Sequence, residues 1–360
     1  MDFRITMRTR IISIIIAISL LIVLVTFIFI SRCSIKSNGY EQKLIIKEEL
    51  SLGGREEHEN YLFTKIRIDV DSEQNLYVLD ERLKNIRIFD KEGQFVRFIG
   101  RIGQGPGEYQ SPAFFIQITS KREVVIYDRG SRNFIYYYTD GNFLKQINPG
   151  KILILLNARI DNEGNFICSY SSAPPSLELR KFNSEFQVLN TFFYRQEDIG
   201  YGYDLEIEQP TLYFAVTQDD YLIWGYSEKY ELQVIDAKGK PIRMITKQHK
   251  PVRFSGRDKE EYKKIYERMI KKGATLKFPS HFPAFADISV DDNNRIFVMT
   301  YKRNREGNYY YDVFDFEGNY LTRVLLPFKP VIWKNNKVYA INRTEDGYSI
   351  IKRYAVEWKP

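Results

Sequence analysis

Two kinds of hydrophobic pattern divide the chain. Residues 11–30 (IISIIIAISLLIVLVTFIFI) form one uncharged apolar run, whereas the rest alternates apolar and polar positions in short runs bounded by Gly, Asn and Asp. Alternation with a period of two residues is typical of β-strands with one buried face. The pattern therefore predicts one apolar helix followed by an all-β domain.

The first run has the length of a membrane-spanning helix. Twenty residues in an α-helix rise about 30 Å, which is the thickness of a bilayer's hydrocarbon core. Arg4, Arg8 and Arg10 precede the run and fewer basic residues follow it closely, so the positive-inside rule puts the N-terminus in the cytoplasm. The expected parts are a cytoplasmic segment 1–10, a transmembrane anchor 11–30, a linker 31–41 and a periplasmic or extracellular domain 42–360.

Cys33 offers a second kind of anchor. A cysteine just after an apolar run resembles the lipid-attachment site of bacterial lipoproteins, but that pattern has a small residue before the cysteine, where this chain has Arg32. Cleavage of a signal peptide is disfavoured because its apolar core is usually about 7 to 15 residues long. Lipidation at Cys33 is therefore the less favoured alternative to the helix. Cys168 has no partner in the body of the chain, so no internal disulfide is expected.

A repeated unit organises residues 42–360. Each copy has a polar turn, an alternating strand, a second aromatic strand and another turn, most clearly from Asp71 to Gly100 (DSEQNLYVLD, then IRIFDKEGQFVRFIG). The other five copies begin at Ser120, Asp161, Thr217, Asp291 and Trp333. Each copy is too small a sheet to bury its own faces, so the sheets must stack and close into a ring. The sequence predicts a six-bladed β-propeller.

One further strand has no copy of its own. The segment QKLIIKEELSL (Gln42 to Leu52) alternates like a strand, while the last copy lacks an outer strand. We expect this segment to complete the sixth blade and fasten the ring, which removes most exposed strand edges.

The widest spacing between equivalent strand ends, from Tyr226 to Thr300, locates an insertion. Within it, residues 255–273 start with a Ser cap and stop at Gly273. The residues at helical spacing are Tyr262, Ile265, Tyr266, Met269 and Ile270. This pattern predicts a short amphipathic helix that packs on the propeller, with partner binding or membrane contact as the alternative.

The glycine-rich segment GRIGQGPGEY (Gly100 to Tyr109) lies between the outer strand of one copy and the inner strand of the next. A phosphate-binding loop would carry Lys-Ser/Thr and lead into a helix, whereas a strand follows here. Glycines at such a crossing provide positive φ angles and close packing. The segment is therefore interpreted as a junction between blades.

The same region carries a family resemblance. The run from Ile66 to Pro112 resembles the NHL-type repeat of bacterial six-bladed beta-propeller proteins, with a strand ending in Asp, Phe-Asp-x-x-Gly, and Gly-x-x-Gly-x-Gly-Pro-Gly-Glu-aromatic. The segment from Phe278 to Tyr301 resembles the penultimate blade of that group. The resemblance extends over roughly residues 42–358. It implies the fold more than the function, because propellers host both binding modules and enzymes.

Charge and histidine content narrow the chemistry. Residues 1–32 contribute +3 of the formal charge of +7, and the remaining +4 is spread without long basic runs, which excludes nucleic acid as a partner. His58, His249 and His281 lie in unrelated segments, and no H-E-x-x-H, C-x-x-C, EF-hand or G-x-S-x-G motif occurs. No metal ligand, catalytic residue or cofactor is therefore predicted. A calcium ion held at the propeller axis by Glu, Asn and Asp, as in lactonases of related fold, stays an alternative.

Strand ends and loops on one face of the ring supply a candidate ligand site. Asp80 and Asp128 each precede an Asn by five residues, and the other candidates lie in the same loops or in related places of other blades. The candidate residues are Asp80, Arg82, Asp128, Arg132, Tyr170, Tyr226, His281 and Tyr301. The two aspartates could fix turns. With arginines and tyrosines they could instead bind a sugar or peptide by stacking and charged hydrogen bonds.

These observations predict a membrane-tethered, extracytoplasmic propeller that binds a carbohydrate, peptide or protein. The alternative is a metal-dependent hydrolase or lactonase with its site at the channel mouth.

Overall fold

The computed structural model describes residues 42–54, 59–81, 85–110, 113–150, 154–172, 175–196 and 204–359. These residues form six four-stranded antiparallel sheets, the blades of a six-bladed β-propeller, as the sequence predicts. The anchor predicted at 11–30 lies outside the described residues, as do Cys33, His58 and Arg82. In the described ranges, no helix combines the length and the apolarity needed to cross a bilayer.

In the first five blades the strands follow one another in chain order from the axis outwards. In chain order, the blade strands are β1 (Lys43–Gly53), β2 (Ile66–Val70), β3 (Leu76–Asp80), β4 (Asn85–Phe89), β5 (Phe95–Ile99), β8 (Ala113–Ile118), β9 (Glu123–Asp128), β10 (Asn133–Tyr138), β11 (Phe143–Ile147), β12 (Ile154–Ile160), β13 (Phe166–Ser172), β14 (Ser176–Phe182), β15 (Val188–Gln196), β17 (Leu212–Val216), β18 (Leu222–Tyr226), β19 (Glu231–Ile235), β20 (Pro241–Thr246), β22 (Asp287–Val290), β23 (Ile296–Arg303), β24 (Tyr309–Phe314), β25 (Tyr320–Leu326), β26 (Pro330–Lys334), β27 (Lys337–Arg343) and β28 (Ser349–Lys359). Two short parallel pairs lie between blades: β6 (Arg101–Ile102) with β7 (Glu108–Tyr109), and β16 (Asp204–Glu206) with β21 (Thr275–Lys277).

The N-terminal strand closes the ring. β1 pairs with β28 and is the outermost strand of blade six, whose inner strands come from the C-terminal end of the chain. This arrangement confirms the prediction for Gln42 to Leu52. Blade six is therefore held together by residues from both ends of the described chain, so the ring cannot open without separating β1 from β28.

Hydrophobic clusters hold consecutive blades together. The structure has one such cluster at each of the six blade junctions, including the junction of blade six with blade one, where Leu52 and Tyr339 pack against Ile68 and Phe89. The inner strands carry buried apolar side chains on both faces, as in β3 and β9, because a neighbouring blade covers each face. Full burial of a large apolar side chain contributes about 1.5–3 kcal/mol, so the six junctions supply most of the stability.

Aspartates explain the polar turns of the repeat. The Asp71 carboxylate accepts hydrogen bonds from the backbone N–H of Glu73 at 2.9 Å and of Asn75 at 2.8 Å. Asp161 and Asp291 make the same pair of bonds in blades three and five. A short side-chain acceptor at the start of such a turn satisfies donors that the sheet ladder leaves unpaired.

The glycine-rich segment joins blades one and two. Gly107 has φ +74°, and a Cβ atom there would lie 2.7 Å from the Phe143 Cβ atom, which leaves no room for a larger residue. The Tyr137 hydroxyl donates to the Gly107 carbonyl at 2.8 Å, and Glu108 accepts from Arg101 at 2.6 Å. Tyr109 is fully buried beside them. These contacts are those of a structural junction, as the sequence indicates.

The insertion forms a small subdomain between blades four and five. Together with the segment that precedes blade four, it makes up what we call the cap, residues 204–210 and 253–282. It contains two helices where the sequence predicts one: α1 (Gly256–Ile265) starts at a capping box between Ser255 and Asp258, and α2 (Glu267–Ile270) follows a break at Tyr266. Tyr262 and Tyr266 pack against the apolar cluster of the cap. Ile265, Met269 and Ile270 lie on the opposite, exposed side.

Candidate functional site

The two predicted aspartates lie at the ends of β3 and β9, and both are fully buried. Asp80 accepts hydrogen bonds from the Thr64 backbone N–H at 3.0 Å and the Thr64 hydroxyl at 2.7 Å. Asp128 accepts from the backbone N–H groups of Gln110 at 3.1 Å and Ser131 at 3.0 Å. Each carboxylate therefore attaches the segment that enters an innermost strand to the strand beside it, which matches the interpretation in which these residues fix turns.

The predicted residues of blades two, three and four do not come together in one pocket. Tyr170 is buried and donates to Glu178 at 3.0 Å. Tyr226 stacks on Phe193 with ring centroids 5.2 Å apart. Arg132 is exposed with φ +57°. These side chains contact their own blade or its neighbour.

Tyr301 and His281 lie beside the cap. The Tyr301 hydroxyl donates to Glu208 at 2.6 Å, and its ring stacks on Phe282 with centroids 4.5 Å apart. Tyr262 of α1 donates to the other oxygen of Glu208. Burial raises the pKa of the Tyr301 hydroxyl far above its ordinary value, and the bond to Glu208 adds to this effect. Glu208 thus joins the phenol of Tyr262 in the cap to the phenol of Tyr301 in blade five. His281 is exposed on the cap and contacts Ser280.

Replacing Glu208 by alanine is expected to loosen the cap without unfolding the ring. Two phenol hydroxyls lose a charged acceptor, and hydrogen bonds to charged groups contribute about 1.5–3 kcal/mol each. Amide hydrogen exchange over residues 256–277 should accelerate by at least about tenfold, whereas exchange in blades one and two should not change. The matched control is Glu206→Ala, an exposed carboxylate in β16. Equal exchange in the two variants would show that Glu208 does not hold the cap.

Polar side chains of the innermost strands connect neighbouring blades around the axis. Asp69 accepts from the Ile118 backbone N–H at 2.6 Å, and Gln117 bonds the backbone of Ile160 through both its amide atoms, at 2.7 and 2.8 Å. Burial raises the pKa of Asp69, although the positive charge of Lys334 opposes this shift. Asp69 and Gln117 therefore each form hydrogen bonds with the backbone of the next blade.

The acidic groups near the axis are divided among separate ion pairs. Glu81 binds Lys65 at 2.7 Å and Arg67 at 3.2 Å, while Asp287 binds Lys329 at 2.8 Å. The described part of the chain contains no group of three or more His, Cys, Asp or Glu side chains suited to a metal ion. Calcium binding at the axis therefore stays a prediction from the sequence.

A cleft opens between blades four and five, on the face where the chain passes from one blade to the next. It encloses about 100 Å³. Its lining comprises Tyr230 and Lys247 from blade four, Gln248, His249, Lys250 and Val252 from the connecting segment, Pro283 and Ala284 from the entry to blade five, and Thr300, Tyr301, Lys302, Asp312 and Arg323 from blade five. Of the seven predicted site residues that the structure describes, Tyr301 lines this cleft and the other six lie elsewhere.

A buried ion cluster forms the floor of the cleft. Asp312, which is 1% exposed, accepts hydrogen bonds from the Tyr230 hydroxyl at 2.9 Å and from the Arg323 Nε at 2.8 Å, and it forms an ion pair with the Lys247 Nζ at 2.7 Å. Burial lowers the pKa of Lys247, although Asp312 opposes this shift. Three donors from three strands or strand ends therefore converge on one carboxylate, which fixes blade four against blade five.

The rim of the cleft is basic. Partial desolvation lowers the pKa of His249, and the adjacent Lys247 ammonium lowers it further. Lys250 and Lys302 also line the cleft, and no carboxylate of the described residues forms an ion pair with either ammonium. The cleft thus combines aromatic walls with positive charges that an incoming ligand can reach.

Most residues of this site have no distinguishing pattern in the sequence. Asp312 occupies one position of an ordinary alternating strand, and the run from Lys247 to Lys250 has the composition of a solvated loop. Glu208 lies in a short segment between the third and fourth repeats. The available signal is the position of the basic run, which directly follows the outer strand of blade four and precedes the insertion.

Comparison with known proteins supports the fold. The model of a family described as a domain of unknown function (DUF4934) matches residues 56–223. No curated protein matches the chain. The resemblance to the NHL-type repeat stays a prediction.

Two solved structures resemble the whole propeller. A member of the duf4221 family from Bacteroides vulgatus ATCC 8482 has a TM-score of 0.56 at 12% identity, covering 89% of this chain and 99% of that one. A protein from Bacteroides fragilis NCTC 9343, described as a "putative exported protein", has a TM-score of 0.52 at 13% identity, covering 89% and 97%. At these identities the likeness establishes the fold alone.

Proposed function

We propose that this protein is a membrane-tethered, extracytoplasmic binding module whose ligand occupies the cleft between blades four and five. The observation that carries the proposal is the cleft itself, where Lys250 and Lys302, which have no acidic partner among the described residues, line the space above a floor built on Asp312. Ligand sites are typically concave, with aromatic walls and a few polar groups held in place. The ion cluster of the floor supplies that rigidity.

The proposed tether is the apolar run at 11–30, with Arg4, Arg8 and Arg10 on its cytoplasmic side. An extracytoplasmic propeller agrees with the "putative exported protein" from Bacteroides fragilis that has the same fold. The linker 31–41 then separates the membrane from β1, the strand that closes the ring.

A carbohydrate, peptide or protein remains the proposed ligand. Tyr301 stays in the proposed site as a wall of the cleft, and the exposed Arg132 and His281 are proposed as outer contacts of a large ligand. The rigid attachment of the cap by Glu208 supports recognition at a fixed geometry, because a preorganised site spends less binding free energy on ordering.

A ligand screen on the full chain in detergent micelles tests this proposal. The panel comprises neutral and acidic saccharides, peptides and divalent cations, each scored by the shift in thermal midpoint, because a ligand that binds the native state raises it. Each hit is then mapped by hydrogen exchange. Protection of residues 247–252 and 300–302 is the expected result.

Protection confined to other parts of the ring would overturn the assignment of the cleft. Stabilisation by calcium, with turnover of a lactone, would replace the binding module by the metal-dependent hydrolase or lactonase.

A further inference from the structure

The charges of the cleft identify a class of ligand. Four basic side chains, Lys247, Lys250, Lys302 and Arg323, line it together with a single carboxylate, that of Asp312. The cleft therefore carries an excess of three positive charges while His249 is neutral. Like charges held in a partly enclosed space repel one another more strongly than in open water. A bound anion would remove this repulsion.

The single carboxylate does not neutralise the rim. Asp312 lies at the floor, and its oxygens are already engaged by Tyr230, Lys247 and Arg323. Lys250 and Lys302 face the same space without an acidic partner among the described residues. A ligand that enters the cleft thus meets the ammonium groups of Lys250 and Lys302, whose positive charges no carboxylate of the described residues neutralises.

We propose that the cleft binds a compact, multiply charged oxyanion, namely sulfate or phosphate, either free or carried by a larger ligand. This proposal rests on the proposed function and names the ligand class of the same site.

The type of donor favours a tetrahedral oxyanion over a carboxylate. The planar guanidinium of Arg323, which suits a carboxylate by paired hydrogen bonds, is turned to Asp312. The remaining donors are ammonium groups on separate segments, Lys250 on the connecting segment and Lys302 near the end of β23 in blade five. An ammonium group acts as a point charge, and these ammonium groups approach the cleft from different directions. The oxygens of a tetrahedral anion can accept hydrogen bonds from all of them.

His249 gives the site a dependence on pH. Its ring lies 5.7 Å from the Tyr230 ring, and the charges that act on it are those of Lys247, Lys302 and Asp312. Partial desolvation, with the two lysines, lowers the pKa of His249. A bound dianion would raise it. Affinity should therefore rise as the pH falls from about 8 to about 5.5, for a ligand such as sulfate whose own charge is constant there.

Isothermal titration of the full chain tests the proposal. The probes are inorganic sulfate, inorganic phosphate, glucose 6-phosphate, acetate and glucose. We expect sulfate and phosphate to bind more tightly than acetate, and Lys302→Gln and Lys250→Gln each to weaken sulfate binding by about tenfold. The control Lys272→Gln removes the same charge from the exposed end of the cap and should leave affinity unchanged. His249→Gln should flatten the pH dependence. Thermal midpoints establish that every variant is folded.

The outcomes separate the two proposals. Glucose 6-phosphate binding far more tightly than inorganic phosphate would identify a carried group, and equal affinities a free anion; both support an oxyanion site. If glucose or acetate binds in the cleft while sulfate and phosphate do not, or if the lysine variants bind sulfate normally, the oxyanion proposal is overturned and the binding module stands. If hydrogen exchange over residues 247–252 and 300–302 responds to no ligand at all, both are overturned.

Discussion

A chain that begins at residue 54 is expected to lose cooperative folding, because it lacks the strand that closes the ring. β1 pairs with β28 from Lys43 to Gly53, and Leu52 is buried at the junction of blades six and one. The turn of blade one at Gly93 also rests on Leu50 and Leu52. Burial of Leu52 alone contributes about 1.5–3 kcal/mol, and whole domains are stable by only about 5–15 kcal/mol. Loss of the strand should therefore remove most of the free energy of unfolding.

Urea unfolding followed by circular dichroism and tryptophan fluorescence measures this effect. The control is a chain that begins at residue 42, which keeps β1 and should unfold like the full-length protein. Leu52→Ala should lower the free energy of unfolding by about 2–5 kcal/mol, which is less than the truncation does. The slope of that free energy against urea concentration should not change. A chain from residue 54 that unfolds in one sharp transition, with the midpoint of the control, would show that the ring does not depend on β1.

Replacing Asp312 by alanine is expected to lower the free energy of unfolding by about 3 kcal/mol. The substitution leaves the Tyr230 hydroxyl and the charges of Lys247 and Arg323 without their acceptor. Breaking a buried ion pair by removing one partner usually costs about 3–5 kcal/mol, and the lower end applies because 34% of the Arg323 side chain is exposed. Chemical denaturation of the purified variant measures the loss.

Two further variants calibrate this result. Asp312→Asn keeps an acceptor for Tyr230 but not the charge. Its free energy of unfolding should therefore lie between those of the unmodified protein and Asp312→Ala. Glu267→Ala breaks the exposed pair with Lys271, and such pairs contribute only about 0.3–0.5 kcal/mol. If Asp312→Ala were no more destabilising than Glu267→Ala, the floor of the cleft would not be the rigid element that we describe.

The fold is predictable from the repeat because each copy forms similar turns and strands. Asp71 and Asp161 start turns by accepting backbone hydrogen bonds, and buried strands follow in Leu76–Asp80 and Phe166–Ser172. The unmatched N-terminal strand could also be assigned, since an incomplete last copy leaves one vacant position in the ring. Local pattern and global closure agree throughout these elements.

The site was less predictable because its contacts are not local. Asp312 and Lys247 belong to different blades, and no spacing in the sequence marks them as partners. The position of Tyr170 in the repeat predicts a ligand contact, but in the structure its hydroxyl donates to Glu178 of its own blade. The break at Tyr266 leaves no mark in the spacing either, because Tyr262 and Tyr266 pack against one apolar cluster at the i, i+4 spacing of a continuous helix.

Anomalous diffraction from crystals of the protein soaked in selenate can show where an oxyanion binds, because selenate has the shape and charge of sulfate and its selenium atom can be located. We expect the strongest selenium peak in the cleft, within hydrogen-bonding distance of the Lys302 and Lys250 ammonium groups. Selenium peaks found only at other positions, with the cleft empty at saturating selenate, would contradict it.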